Sequence, residues 1–126
     1  MDFKDMVTAA RNVIDPRDLS SHAKSGGVGA SLLSASGKLY TGVCVETACS
    51  MGFCAEQAAA GTMITRGENH VVKMVAVAWK DQILPPCGRC REFVQQLHPH
   101  NRMAKVMVAD DVVHLLGDLL PLDWRG

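Results

Sequence analysis

The chain has 126 residues, of which 48% are hydrophobic and 21% charged, and its 13 basic and 13 acidic side chains cancel. This length and composition predict a single domain over residues 1–126 and exclude a disordered tail or a fibrous repeat. With no net charge, no broad field attracts a nucleic-acid polymer or an anionic membrane surface, and no apolar run approaches the ~18 residues of a membrane span.

The first half of the chain predicts a helix followed by a β-hairpin. Apolar residues recur at helical spacing over residues 3–14, and Asp2 is a suitable N-cap. Residues 20–27 are rich in glycine and small polar side chains, which is typical of a loop. Two apolar runs then flank Ser36 and Gly37, which indicates a tight turn between two strands.

The second half alternates helices with strands. Helices are predicted at 54–65 and 88–97, where helix-forming residues are dense and proline or glycine closes the pattern. Residues 71–79 are apolar at both alternate sets of positions, as in a central strand covered on both faces. A further strand is predicted at 103–108, and the apolar residues 112–116 belong to the C-terminal piece that follows it. This alternation favours an α/β sandwich with parallel strands in the second half.

The five cysteines suggest metal binding. The N-terminal residues lack the features of a secretory signal, so we expect a cytoplasmic protein whose cysteines are thiols or metal ligands. Cys87 and Cys90 occupy the first turn of one predicted helix, and Cys54 begins another. Two thiolates at positions i and i+3 and a third from a neighbouring helix start leave one tetrahedral position of a metal ion open. The set suits catalytic Zn²⁺, because helix N-termini stabilise the negative charge of the thiolates.

Glu56 follows Cys54 by two residues, so its carboxylate can reach a metal-bound water without ligating the ion. In zinc deaminases a glutamate at this spacing, paired with a P-C-x-x-C motif, serves as general acid and base. The sequence has such a motif at Pro86–Cys90. We therefore predict that Glu56 is a catalytic proton shuttle.

Other interpretations of these residues stay open. A C-x-x-C pair also occurs in thioredoxin-like redox proteins. A purely structural zinc site would take a fourth protein ligand, which Cys44, Cys49 or a histidine can supply. Cys44 and Cys49 are otherwise ordinary small apolar side chains, and Glu56 is otherwise an acid favoured by the helix dipole.

Three segments resemble the cytidine deaminase family: Thr41–Glu46, Cys54–Glu56 and Pro86–Arg91. Residues 83–91, with Leu97-His98-Pro99 after them, are similar to its small blasticidin-S deaminase branch. The resemblance implies a three-layer α/β/α sandwich with a mixed sheet of about five strands. It also implies zinc-dependent hydrolytic deamination of a free aminopyrimidine nucleoside, cytidine-like or blasticidin-like, with release of ammonia by a homotetramer.

The resemblance also assigns residues position by position. Cys54, Cys87 and Cys90 match the zinc ligands, Glu56 matches the proton shuttle, and Glu46 matches the glutamate that contacts the ribose hydroxyls. Further substrate-binding candidates are the backbone groups of Ala55 and Pro86 and the residue Trp124. The chain departs from typical members at two other candidate positions, where Cys44 replaces an asparagine and Gly26-Gly27 replaces an aromatic residue.

These departures predict a weak preference for plain cytidine and a pocket with room for a larger substrate. Gln57 also stands where an arginine often follows the shuttle glutamate. Two alternative functions stay open, a deaminase of another small amino-heterocycle and a non-catalytic zinc-stabilised interaction module. The apolar C-terminal run predicts an oligomer interface formed by Leu115, Leu116, Leu119, Leu120, Leu122 and Trp124.

Overall fold

A computed structural model describes residues 1–125 and shows one mixed β-sheet with helices on both faces. Among these residues, no helix is long and apolar enough to cross a membrane. The helices and strands in chain order are α1 (Phe3–Asn12), β1 (Arg17–Ser20), β2 (Ala23–Ser34), β3 (Leu39–Thr47), α2 (Ala55–Thr65), β4 (Val71–Val77), β5 (Ile83–Leu84), α3 (Gly88–Gln96), β6 (Lys105–Ala109) and β7 (Val112–Leu115).

The sheet is built around β2 and β4. β2 pairs antiparallel with β3 along one edge, and with β1 and then β4 along the other. β4 pairs antiparallel with the short β5 and parallel with β6, which is followed by the antiparallel β7. In residues 1–125, seven strands therefore form a mixed sheet. β1 and β4 lie along the same edge of β2, and β5 and β6 lie along the same edge of β4. This confirms the mixed sheet and the parallel pair expected in the second half.

Each face of the sheet has its own apolar layer. Successive residues of a strand point to opposite faces, so Met74 and Val75 of β4 enter different layers. One layer lies under α1, and its buried members are Met6, Ala10, Leu33, Val75 and Val77. The other lies under α2 and α3 and includes Leu32, Ala59, Met63, Met74, Val94 and Val106. The predicted α/β/α sandwich is confirmed.

The prediction of a loop over residues 20–27 is wrong, because β1 ends at Ser20 and β2 begins at Ala23. The glycines belong to an irregular part of β2, where the pairing with β3 shifts register between Ser25 and Gly29. Gly26 has φ +85°, and a Cβ there would lie 2.1 Å from the carbonyl oxygen of Asp15. The glycine content thus reflects a bulge and a close backbone approach, not a loop.

The C-terminal segment is divided between core and surface. Leu116 is fully buried, and Leu119 packs against the same core cluster. Leu122 and Trp124 are exposed, and the Trp124 indole N–H donates to the Glu92 carboxylate on α3. Two residues of the apolar run predicted to be an interface, Leu116 and Leu119, are therefore used by the chain's own core.

Candidate active site

Three cysteine thiols meet where α2 and α3 begin. Cys54 is the N-cap of α2, Cys87 is the N-cap of α3, and Cys90 lies in the first turn of α3. The Sγ of Cys87 is 3.5 Å from that of Cys54 and 3.5 Å from that of Cys90. With Zn–S bonds of about 2.3 Å, tetrahedral zinc holds its sulfurs about 3.8 Å apart. The thiols therefore fit Zn²⁺ with little rearrangement.

The local chain conformation brings the two helix starts together and leaves their thiols free. Cys54 and Cys87 both have extended backbones, and neither side chain caps its helix by a hydrogen bond. The Arg89 guanidinium donates to the carbonyl of Gly52 at 3.2 Å, which joins the start of α3 to the segment before α2. Two helix N-termini thus direct their positive ends at one thiol cluster.

The electrostatics of the thiols favour a cation. Burial raises the pKa values of Cys54 and Cys90. Burial also acts against ionisation of Cys87, but hydrogen bonds from the backbone of Cys90, the Cys54 thiol and other groups outweigh it, so its pKa is lowered. Gln57 of α2 approaches Cys90 with its amide nitrogen 3.7 Å from Sγ. A bound divalent cation stabilises thiolates that burial otherwise disfavours.

Glu56 lies next to the thiols without joining them. Its side chain is buried, and this burial raises the pKa of its carboxyl group, partly offset by a hydrogen bond from its own backbone. Within residues 1–125, the group of potential ligands at this place consists of Cys54, Cys87 and Cys90. A buried acid beside a three-ligand cluster can exchange protons with a molecule in the fourth position.

A depression of about 370 Å³ lies beside the sheet, next to the thiol site. It falls in the size range of small-molecule pockets. Its lining residues are Pro16, Arg17, Asp18, Lys24, Ser25, Gly27, Cys44 and Glu46. The three clustered cysteines are not part of this lining, but Val45 pairs with Phe53, the residue before Cys54, through N···O distances of 3.0 and 2.9 Å. The pocket is therefore about one strand spacing from the start of α2.

The remaining predicted substrate residues differ in their surroundings. Ala55 is buried in the first turn of α2, close to the thiols. The carbonyl of Pro86 already accepts a hydrogen bond from the Arg91 Nε at 2.8 Å. Gly27 has open space where a Cβ would be, whereas Gly26 has the structural role described above. Trp124 lies against α3 and outside the pocket of Cys44 and Glu46.

The other two cysteines stand apart from the metal cluster. Cys44 packs beside Ala30, Ala55 and Ala76, and Cys49 is exposed. This arrangement leaves the two thiols outside ligand distance, so a four-cysteine structural site is not formed.

Sequence reasoning missed several residues around the pocket and the ligands. Arg17, Asp18 and Lys24 line the pocket, but no local sequence pattern brings their charges together. Arg91 follows the last ligand directly and donates to the carbonyls of Pro86 and Leu119. Its position directly after Cys90 is the sequence feature that could have indicated a role in supporting the cysteine motif.

An α/β sandwich with a cluster of three thiols at two helix N-termini defines a domain suited to bind a metal ion. Residues 5–108 match the family described as the cytidine and deoxycytidylate deaminase zinc-binding region. Because the match covers more than half of the chain, the protein belongs to this family.

Two relatives in sequence have corresponding names. The chain is 37% identical over 68 residues to a probable cytidine deaminase of Dictyostelium discoideum, and this aligned region covers 52% of this chain and 46% of that protein. It is 38% identical over 74 residues to the cytidine deaminase of Halalkalibacterium halodurans, covering 57% and 55%. The matched regions span about half the length of these relatives.

Solved structures agree over nearly the whole chain. The fold is similar to the cytidine deaminase of Mycobacterium leprae, with a TM-score of 0.80, 26% identity, and coverage of 96% of this chain and 98% of that one. The cytidine deaminase of Mycobacterium tuberculosis gives a TM-score of 0.81, 25% identity, and coverage of 98% of each chain. The architecture around the cysteines is thus that of this family.

Proposed function

We propose that the protein is a zinc-dependent enzyme that deaminates a free aminopyrimidine nucleoside by hydrolysis and releases ammonia. The observation that carries the proposal is a cluster of three cysteine thiols beside the buried, non-ligating carboxyl group of Glu56. The family membership and the names of the matched proteins support the same chemistry. A structural zinc module would have no need of a buried acid at the open position.

The residues of the chain divide the reaction between them. When bound by Cys54, Cys87 and Cys90, Zn²⁺ supplies Lewis-acid activation of water. The Glu56 carboxylate takes one proton from the attacking water and gives it to the ring nitrogen. It then carries the second proton, from the new hydroxyl group on the ring carbon, to the departing amine. Water adds to the ring and ammonia leaves, so the amino group of the substrate is replaced by a carbonyl.

The pocket of Cys44 and Glu46 would hold the part of the substrate away from the reacting carbon. Glu46 offers a carboxylate that accepts hydrogen bonds from ribose hydroxyls, whereas the thiol of Cys44 is a weak hydrogen-bond partner. Gly27 adds no side chain to the wall. We propose that these features favour a substrate bulkier than cytidine or without an ordinary ribose, including blasticidin-like nucleosides.

We also propose that the enzyme is a cytoplasmic homotetramer. Reducing conditions there keep ligand thiols from forming disulfides. The exposed side chains of Leu122 and Trp124 supply apolar surface for subunit contacts. Light scattering at micromolar concentration should give about four times the 13.6 kDa chain mass. A 13.6 kDa particle would contradict the tetramer.

The function is tested by measuring ammonia release from the zinc-loaded protein. The substrates are cytidine, deoxycytidine, 5-methylcytidine, cytosine, blasticidin S and non-pyrimidine amino-heterocycles, each with the Glu56→Gln variant as control. Turnover of an aminopyrimidine that depends on Glu56 is the expected result. Turnover restricted to non-pyrimidines would favour the other deaminase class, and a zinc-loaded protein inactive on all of them would favour the interaction module.

A further inference from the structure

A second cluster of potential metal ligands lies at the other end of α3. One nitrogen from each of His70, His98 and His100 lies within 4.8 Å of the other two. His70 immediately precedes β4, and the other two belong to the turn that follows α3. We propose that these three imidazoles bind a divalent first-row transition metal ion, separate from the zinc of the cysteines.

The two chain segments that carry the histidines are tied together by Asn101, which is fully buried. Its Oδ1 accepts from the backbone N–H of Val71 at 2.8 Å, and its Nδ2 donates to the carbonyl of Asn69 at 3.1 Å. These bonds hold the backbone on both sides of His70. Because Asn101 directly follows His100, one buried side chain fixes the distance between two of the proposed ligands.

A further set of hydrogen bonds fixes the third histidine. The Asn69 side chain donates to the carbonyl of Leu97 at 2.7 Å, directly before His98. Asn101 Nδ2 also donates to the carbonyl of Val94 in α3 at 2.9 Å. The backbones of all three ligands are therefore set before any ion arrives, which lowers the ordering cost of binding.

The ring geometry shows what binding would require. The rings of His70 and His98 are stacked, with centroids 4.2 Å apart and planes 3° apart, and His100 is edge-on to both at 68°. A metal ion lies near the plane of each imidazole that binds it, with nitrogen atoms about 3.3 Å apart in a tetrahedral site. One stacked ring must therefore rotate about its side-chain bonds, while the backbone can stay in place.

Rotation of His98, or binding of the ion at its Nδ1, would break one hydrogen bond. His98 Nδ1 accepts from the backbone N–H of His100 at 3.0 Å. An ion bound at this nitrogen replaces that hydrogen bond, so we expect weaker binding than at the three thiolates.

The ligand chemistry limits the kind of ion. Imidazole nitrogens suit Zn²⁺, Cu²⁺, Ni²⁺ and Co²⁺, whereas Mg²⁺ and Ca²⁺ require oxygen ligands. In the part of the chain that the structure describes, no carboxylate forms an ion pair with these histidines. The C-terminal end of α3 adds partial negative charge beside His98, which favours a bound cation.

The experiment titrates tag-free protein that already holds one zinc per chain with further Zn²⁺, followed by calorimetry. One additional equivalent should bind to the wild type. His98→Ala and His100→Ala should each weaken this step by about 10- to 100-fold or more, since loss of even an outer-shell partner costs that much. His22→Ala and His114→Ala are matched controls outside the cluster and should bind like the wild type.

A second probe separates the two metal sites. Added Co²⁺ should give visible d–d absorption without sulfur-to-cobalt charge transfer if it binds the histidines, and circular dichroism checks that each variant is folded. Absence of a second equivalent in the wild type would overturn the proposal. So would equal binding by the folded His98→Ala and His100→Ala variants, or a charge-transfer band showing that the ion had entered the cysteine cluster. None of these outcomes depends on turnover.

Discussion

The two ends of α3 offer metal ligands in contrasting surroundings. At its N-terminal end are the thiols of Cys87 and Cys90, with the buried acid Glu56 beside them. At its C-terminal end, about 13 Å away along the nine-residue helix, is the histidine cluster. The first end combines three thiols, two helix N-termini and the buried carboxyl group of Glu56, whereas the second has three imidazoles that, among the described residues, form no ion pair with a carboxylate. Both ends of α3 offer ligands for a metal ion, but we expect catalysis at the thiol end, where Glu56 lies beside the ligands.

The largest effect is expected from removing a ligand at the thiol end. Cys90→Ala should reduce zinc from about one ion per chain to nearly none and abolish ammonia release, because two thiolates hold zinc far less tightly than three. Elemental analysis after gel filtration measures this. Cys49→Ala, an exposed cysteine outside the cluster, is the control and should keep both zinc and activity. A Cys90→Ala protein that retained tightly bound zinc would contradict the ligand assignment.

Removing the acid instead of a ligand should separate binding from chemistry. Glu56→Gln should keep zinc and fold but lower kcat by about 100-fold or more, the usual contribution of general acid–base catalysis. Steady-state ammonia release and elemental analysis on the same sample measure both properties. Asp5→Asn, at an exposed position of α1, should change neither. Loss of zinc from Glu56→Gln would mean that this carboxyl group is a ligand.

At the histidine end, the stabilising residue is Asn101. Asn101→Ala should lower the free energy of unfolding by about 2–4 kcal/mol, because buried backbone groups lose their partners. Urea denaturation followed by circular dichroism tests this, with the exposed Asn12→Ala as a control expected to stay within about 0.5 kcal/mol. Equal stability of the two variants would show that Asn101 does not hold the segments together.

Packing beneath the thiol end depends on Gly42 in β3. A Cβ at this position would lie 2.4 Å from the backbone nitrogen of Ala59 and 2.7 Å from the Cβ of Ala58. Gly42→Ala should therefore displace α2 and lower stability by about 1–3 kcal/mol. Gly61→Ala is the matched control in α2, where a Cβ meets nothing within 4 Å, and should stabilise the helix by up to about 1 kcal/mol. Thermal unfolding distinguishes the two variants.

The smallest effect concerns substrate choice in the pocket of Cys44 and Glu46, beside the thiol end. Cys44→Asn introduces an amide into the pocket and should raise kcat/KM for cytidine relative to larger nucleosides by about fivefold, equivalent to one hydrogen bond of about 1 kcal/mol. Cys49→Asn is the control, because an asparagine tolerates the φ of +62° at this exposed position. An unchanged ratio of kcat/KM values would show that Cys44 does not affect specificity.

The elements that the sequence predicted correctly have strong local signals. The helical spacing before Ile14, the turn at Ser36-Gly37 and the apolar run of β4 each occur within a few turns or one strand. The two-residue β5 is too short for any period to appear, and the glycine bulge in β2 was mistaken for a loop. Local patterns therefore predicted the layers of the sandwich but missed the short strand β5 and the bulge in β2.

The two metal-ligand clusters differ in the same way. Cys87 and Cys90 are neighbours in one helical turn, so their spacing alone suggested a shared ion. His70 meets His98 and His100 only because β4 starts beside the turn after α3, and Asn101 makes that contact. Such tertiary proximity has no signature in sequence spacing. The pocket residues Arg17 and Lys24 were missed for the same reason, since they meet through the pairing of β1 with β2.

Arg91 links the release of zinc to a distant part of the chain. Its guanidinium group joins the carbonyl of Pro86, directly before Cys87, to that of Leu119, which lies 28 residues after Arg91. A ligand segment can open only as fast as the contacts that restrain it allow. We therefore expect the residence time of a bound ion to depend partly on opening of the turn at Leu119, and not on the strength of the sulfur bonds alone.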